Sequence, residues 1–255
     1  MKLRYPAEAF ALGIILFSAG MKEAFAAGIL VIFTSVFAEL LKNLLEKAVP
    51  AWSLRLCVYI ASGSVCASVF LLGFAALGTA LDTKMWILVF ITGLLCARHA
   101  LSQRTETEYG QLLWESAVAW GFWILLAIFR EFMGSGSIFG NTVLTGAFQS
   151  KAFLTYTFAF LSAGLTLAFT NGILKKSCKG LNSLFPAIPA FVFFHPFTVE
   201  SFAGLPGTLW VIAVPIILFL SVKQTLKFAR SGNAYRGLPV EMLAAGFIYM
   251  ILSIY

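Results

Sequence analysis

Charge is what this sequence has least of. Asp, Glu, Lys and Arg make up 11% of its 255 residues, against roughly 25% in soluble domains. A soluble chain of this length would have to present polar groups over much of its surface, and this one has too few. Metal-ligating residues are sparse too. The two histidines, His99 and His195, lie far apart, and Cys57, Cys66, Cys96 and Cys178 form no CxxC, CxxCH or Cys/His cluster. Zinc-ribbon and haem-attachment patterns are thereby excluded. Three of the thiols sit in apolar runs, the ordinary place for a buried free cysteine. No GxGxxG opens a helix after a strand, and the glycine-rich GSGSIFG at 134–140 lacks the Gly-Lys-Ser/Thr of a phosphate-binding loop. Ser/His/Asp and Cys/His nucleophile spacings are missing. No cleavable signal peptide is expected, because the short basic start at 1–6 leads into one apolar segment after another.

What is present is apolar length. Hydrophobic residues make up 60% of the chain, with 26 Phe. The runs are about 17–25 residues long, which at 1.5 Å per residue matches a ~30 Å hydrocarbon layer. They predict an all-α fold, a polytopic transmembrane helix bundle embedded in a lipid bilayer. About nine segments are expected, at 7–19, 23–45, 54–81, 85–101, 111–133, 153–174, 184–197, 205–222 and 239–254. The first and fourth are short for a full crossing. The seventh carries Pro186, Pro189 and Pro196, which a span tolerates where neighbouring helices satisfy the freed carbonyls.

The basic residues order these segments. With a cytoplasmic N-terminus and nine crossings, 14 of the 18 Lys and Arg residues face the cytoplasm. Only Lys22, Lys84, Arg130 and Lys151 face outward. That is the positive-inside bias, and it argues that the proline-rich segment crosses rather than re-enters. The net charge of +7 then reflects topology and lipid headgroups rather than nucleic acid.

A short echo runs through the chain. FAEL at 37–40 ends the second segment and FREF at 129–132 ends the fifth, each after a short apolar segment. Three crossings apart, the two copies would be inverted, a pattern that places functional sites between the halves. Ionisable residues in apolar runs are costly and therefore informative. Glu39 is either an interfacial carboxylate paired with Lys42 at i,i+3 or part of an ion site. Glu115, beside Trp114, has the same two readings. Arg130 and Glu131 read as a helix end closed by glycine, or, for Glu131, as the counterpart of Glu39. His99, beside Arg98, reads as a headgroup or loop contact.

Several stretches resemble the paired membrane subunits of Rnf/Nqr-type complexes. LLAIFREFMGSGSIFG at 125–140 resembles their fifth helix and following loop, with Glu115-Ser116 at the helix start. ALGI at 11–14 resembles the first-helix Leu-Gly-Leu-Cys region, and FITGL at 90–94 the fourth-helix Thr-Thr-Asn-Cys region. GLP at 237–239 with LAAG at 243–246 resembles the closing helix. The resemblance divides the chain into a core at 1–140 and 236–255 and an inserted transmembrane region at 141–235. Aromatic residues of the insert (Phe153, Tyr156, Phe158, Phe160, Phe191, Phe193, Phe194) suit core packing, lipid, a partner subunit or quinone.

The resemblance implies a six-helix inverted-repeat core. It also implies a non-catalytic membrane subunit of a redox-driven translocase for Na⁺ or H⁺, located in the bacterial cytoplasmic (inner) membrane. A homologous membrane subunit would face it, and quinone is a further expected partner. The family shares an intramembrane [2Fe–2S] cluster, each subunit giving one cysteine from its first and one from its fourth helix. Here Ile15 stands at the first position and Leu94 at the fourth, with Cys96 two residues on. Four ligands are needed, so the usual ligation is not expected. Cys96 is the one cofactor-ligand candidate, and Glu39, Glu131 and Glu115 are the ion-path candidates. The alternatives are a transporter or channel that kept the scaffold and lost the electron path, and an assembly subunit.

Overall fold

In the computed structural model, residues 3–103, 108–144, 146, 149–178, 181–197, 205–225 and 234–254 are described. Among them are nine α-helices: α1 (Ala7–Phe17), α2 (Met21–Leu45), α3 (Ala51–Ala76), α4 (Thr83–Ser102), α5 (Tyr109–Ser135), α6 (Tyr156–Leu174), α7 (Leu184–Phe193), α8 (Leu205–Thr225) and α9 (Leu238–Leu252). The chain is an all-α helix bundle. Six helices (α2 to α6 and α8) are long and apolar enough to cross a membrane, while α1, α7 and α9 are shorter. Large apolar side chains cover the outside, among them Leu44, Leu72, Trp114, Leu125, Leu209 and Ile217, each at least 60% exposed. A surface of that kind is stable against lipid and not against water. The protein is therefore an integral, multi-pass membrane protein.

Contacts at the helix ends show that the passes alternate. Arg4, just before α1, meets Glu115 near the start of α5. Lys42, late in α2, reaches Gln103 after α4. Lys223, late in α8, reaches Glu241 at the start of α9. These define one end of the bundle, the basic end. Met21, Glu131 and Arg130 meet at the other. The proline-bearing α7 starts beside Lys223 through Asn182 and Ser183. It ends at Phe193, and His195 just beyond it lines a cavity at the opposite end with Arg130 and Tyr249.

α1 is the centre of the bundle: all eleven of its residues are buried. It packs on α2, α4, α6 and α7. Apart from the α1–α2 and α2–α4 packings, which have no such counterpart, the contacts among the first six helices map onto one another when α1 exchanges with α4, α2 with α5 and α3 with α6. Thus α3 lies on α4 and α6 on α1, α2 on α3 and α5 on α6, while α1 meets α4 and α2 meets α5 directly. The packing has no seam at residue 141, since α6 lies against α1, α5 and α9.

α4 departs from the expected short segment. It runs unbroken for 20 residues, because Asp82 caps its start by accepting a bond from Thr83 N at 2.7 Å. Gly93 does not break the helix; it lets α3 come close. A Cβ there would lie 2.6 Å from Ser62 O and from Cys66 Cβ. α5 ends at Gly136, whose φ of 69° permits the left-handed turn that bonds its N–H to Phe132 O. A two-residue hairpin follows, Ser137–Ile138 against Asn141–Thr142.

Candidate functional site

Two polar layers cap α1. At the basic end the layer is a chain of ion pairs and backbone contacts. Glu115, 1% exposed, accepts from Arg4 N at 2.8 Å and pairs with Lys176. Glu8, in the first turn of α1, pairs with Arg98 at 2.8 Å and accepts from Asn182 N at 2.8 Å. The Arg98 guanidinium stacks 3.7 Å from the Phe185 ring centre. Lys223 bridges Asn182, Ser183 and Glu241. Glu39 pairs with Lys42 at 3.9 Å, and Lys42 donates to Gln103 O at 2.8 Å. His99 is half-buried and its Nε2 donates to Arg4 O at 2.7 Å in the non-helical stretch before α1, a loop contact. Asn171 donates to Cys178 Sγ at 3.2 Å and to Ala234 O at 3.1 Å. Burial pushes the Cys178 thiol up to about 12.

At the opposite end Glu131 is held by backbone. Its Oε2 accepts from Met21 N at 2.6 Å and its Oε1 from Gly140 N at 2.7 Å. The first bond fixes the start of α2, where free N–H groups favour a carboxylate. Arg130 spreads over three neutral acceptors: Nε donates to Phe153 O at 2.9 Å, Nη2 to Thr155 O at 3.0 Å, and Nη1 to Ser18 Oγ. α1 is thus clipped to α5 at both ends, through Arg4 with Glu115 and through Ser18 with Arg130. Fifteen residues of helix separate Glu115 from Arg130, about 22 Å at 1.5 Å per residue.

The carboxylates singled out in the sequence are therefore not gathered in one place. Glu39 and Glu115 lie at the basic end. Glu131 lies across the bundle, about 27 Å from the Glu39 level along α2 at 1.5 Å per residue. Each stands at a junction between the two exchanging units: Glu39 beside the end of α4 through Lys42, and Glu131 on the turn between α1 and α2.

Cys96 is 1% exposed and accepts from Ser35 Oγ at 3.5 Å. Its neighbourhood includes Cys66, 0% exposed, on the facing side of α3. Ile15 is 2% exposed and packed in the apolar core. Among the described residues no three His, Cys, Asp or Glu side chains converge as metal ligands do. Of the aromatics in 141–235, Phe160 and Phe191 are core, against Phe219 and Tyr249. Phe153, Tyr156 and Phe158 instead line a cavity.

Sequence reasoning missed Arg130 and the pairs Glu8–Arg98 and Glu115–Lys176 as elements of these layers. The signal was present, since each is an ionisable residue at the edge of an apolar run, but the partners are remote in sequence. Comparison of the chain with family models, with curated proteins and with solved structures gave no match.

Proposed function

We propose that this protein is the membrane-embedded, non-catalytic subunit of a redox-linked ion-translocating assembly of the Rnf/Nqr type, with the ion path running between the two polar layers around α1. The observation that carries this reading is the spacing of the layers, about 22 Å along α5 at 1.5 Å per residue. A hydrocarbon core is ~30 Å thick, so charged groups reach into it from both sides and only the apolar α1 and its neighbours separate them. Short helices ending inside the membrane at the junction of inverted units are where such transporters bind their ions. Glu39 and Glu115 on one side and Glu131 on the other are the carboxylates that would border this path, each already held by partners within the chain. The electron-transfer partners rest on the resemblance of 125–140 to the family, as do a homologous membrane subunit and quinone. The bacterial cytoplasmic membrane rests on the same resemblance, and the positive-inside rule makes the basic end cytoplasmic.

The family's [2Fe–2S] cluster does not fit these residues. A cluster shared with a facing subunit needs thiols at the surface between them, and Cys96 and Cys66 are enclosed within this chain. Ile15 has no ligand atom to offer. The packed Ile15 favours a second reading, a transporter or channel that kept the scaffold and lost the electron path.

Mild solubilisation and co-purification separate the two, with Na⁺ and H⁺ flux measured in proteoliposomes. Flavoprotein and iron–sulfur subunits recovered with the chain support the first reading. A lone chain that still moves ions supports the second. A lone chain that moves neither ion sinks both.

A further inference from the structure

A cavity of about 880 Å³ lies at the end of the bundle away from the paired charges. Its wall is mainly apolar, with Ile15, Leu16, Phe153, Phe158 and Leu161 contributing. One buried cation lines it. Arg130 is 1% exposed, and among the described residues it has no ion pair; the pairs present are Lys42–Glu39, Arg98–Glu8, Lys176–Glu115 and Lys223–Glu241. Its three bonded N–H groups meet neutral oxygens. A guanidinium carries five donors, so two are unused. The neighbouring Glu131 is occupied by Met21 N and Gly140 N. A second polar group stands idle in the same wall. Tyr249 is 3% exposed, and its buried hydroxyl has no hydrogen-bond partner.

We propose that this cavity binds an amphipathic anion, with a carboxylate or phosphate head on Arg130 and an apolar tail along the aromatic wall. A buried cation without a counter-charge is costly, and a carboxylate or phosphate would both neutralise it and take up its free N–H groups in a forked contact. The idle Tyr249 hydroxyl gives the bound molecule a further donor. A predominantly apolar cavity with a few converging polar groups is the usual form of a small-molecule site. A neutral carbonyl, such as that of a quinone, would accept the hydrogen bonds and leave the charge uncompensated. The head chemistry is shared by a free fatty acid and by an anionic lipid.

The test uses the full chain in phosphatidylcholine nanodiscs, with the thermal unfolding midpoint read against added oleate, oleoyl lysophosphatidic acid, oleyl alcohol, inorganic phosphate and decylubiquinone. Oleate or the lysophosphatidic acid at saturation should raise the midpoint by about 5 °C. The stronger of the two identifies a fatty acid or a lipid as the source. Arg130→Gln should weaken the response about tenfold. Thr157→Trp, which fills the cavity from α6 and leaves Arg130 in place, should abolish it and serves if Arg130→Gln does not fold. The proposal is overturned if oleyl alcohol acts as oleate does, or if inorganic phosphate alone gives the full shift. A decylubiquinone shift that survives Arg130→Gln overturns it as well, as does the absence of any shift.

Discussion

At the basic end, Lys42, Arg98, Lys176 and Lys223 each have a carboxylate within ion-pair distance. At the opposite end Arg130, as deeply buried as any of them, is held by two carbonyls and a hydroxyl. The first arrangement is self-sufficient: positive and negative groups supplied by different helices neutralise one another and tie the helices together. The second has donors and charge to spare beside a cavity. One end therefore reads as a closed joint and the other as a place prepared for something from outside the chain.

The largest effect expected from this contrast is at Glu115. Replacing it with Ala removes the carboxylate from the buried Lys176, and breaking a buried pair from one side costs about 3–5 kcal/mol. The thermal midpoint of Glu115→Ala should fall accordingly, and the double variant Glu115→Gln with Lys176→Met should regain much of the loss. Arg130→Met should cost less, about 2 kcal/mol, because the lost hydrogen bonds are offset by the relief of an uncompensated buried charge. If the Arg130 variant melts as low as Glu115→Ala, the contrast between the ends is wrong. Lys223 and Glu241 are 26% and 19% exposed, so Lys223→Met should cost about 1 kcal/mol or less. The gentlest probe is chemical. With the Cys178 pKa pushed up to about 12, its thiolate fraction at pH 8 is on the order of 10⁻⁴. N-ethylmaleimide should modify the exposed Cys57 and leave a Cys57→Ala variant nearly unlabelled. Rapid labelling of Cys178 in the folded protein would show that the basic end opens.

The alternation of passes was legible in the sequence because hydropathy and the placement of Lys and Arg are properties of each segment by itself. Glu39 with Lys42 was legible for a similar reason, since the partner is three residues away on the same helix. Arg130 was read only as part of a helix closed by glycine. Gly136 does close that helix, but the role of Arg130 depends on Ser18, 112 residues earlier, and on two carbonyls 23 and 25 residues later. Composition carries no trace of such pairings. The length of α4 was underread because Asp82 and Lys84 lower the local hydropathy where the helix begins, while the Asp82 side chain is what starts it. The hairpin after α5 has two residues per strand, too few for any alternation to register.

Eleven residues of α1 span about 16 Å at 1.5 Å per residue, too little to be held by a bilayer in the way its longer neighbours are. It is also made before them. Arg98 and Asn182, which hold Glu8, emerge 90 and 174 residues after it, and Glu115, which holds Arg4, emerges 111 residues later. While the ribosome is still producing α2 and α3, this stretch has only α2 to pack on. Its polar contacts are completed only when α4, α5 and the turn before α7 arrive, so that what is synthesised early is fastened late. The middle of the molecule is then the last part to be completed, and a chain cut short before α7 would be left with its centre only partly anchored.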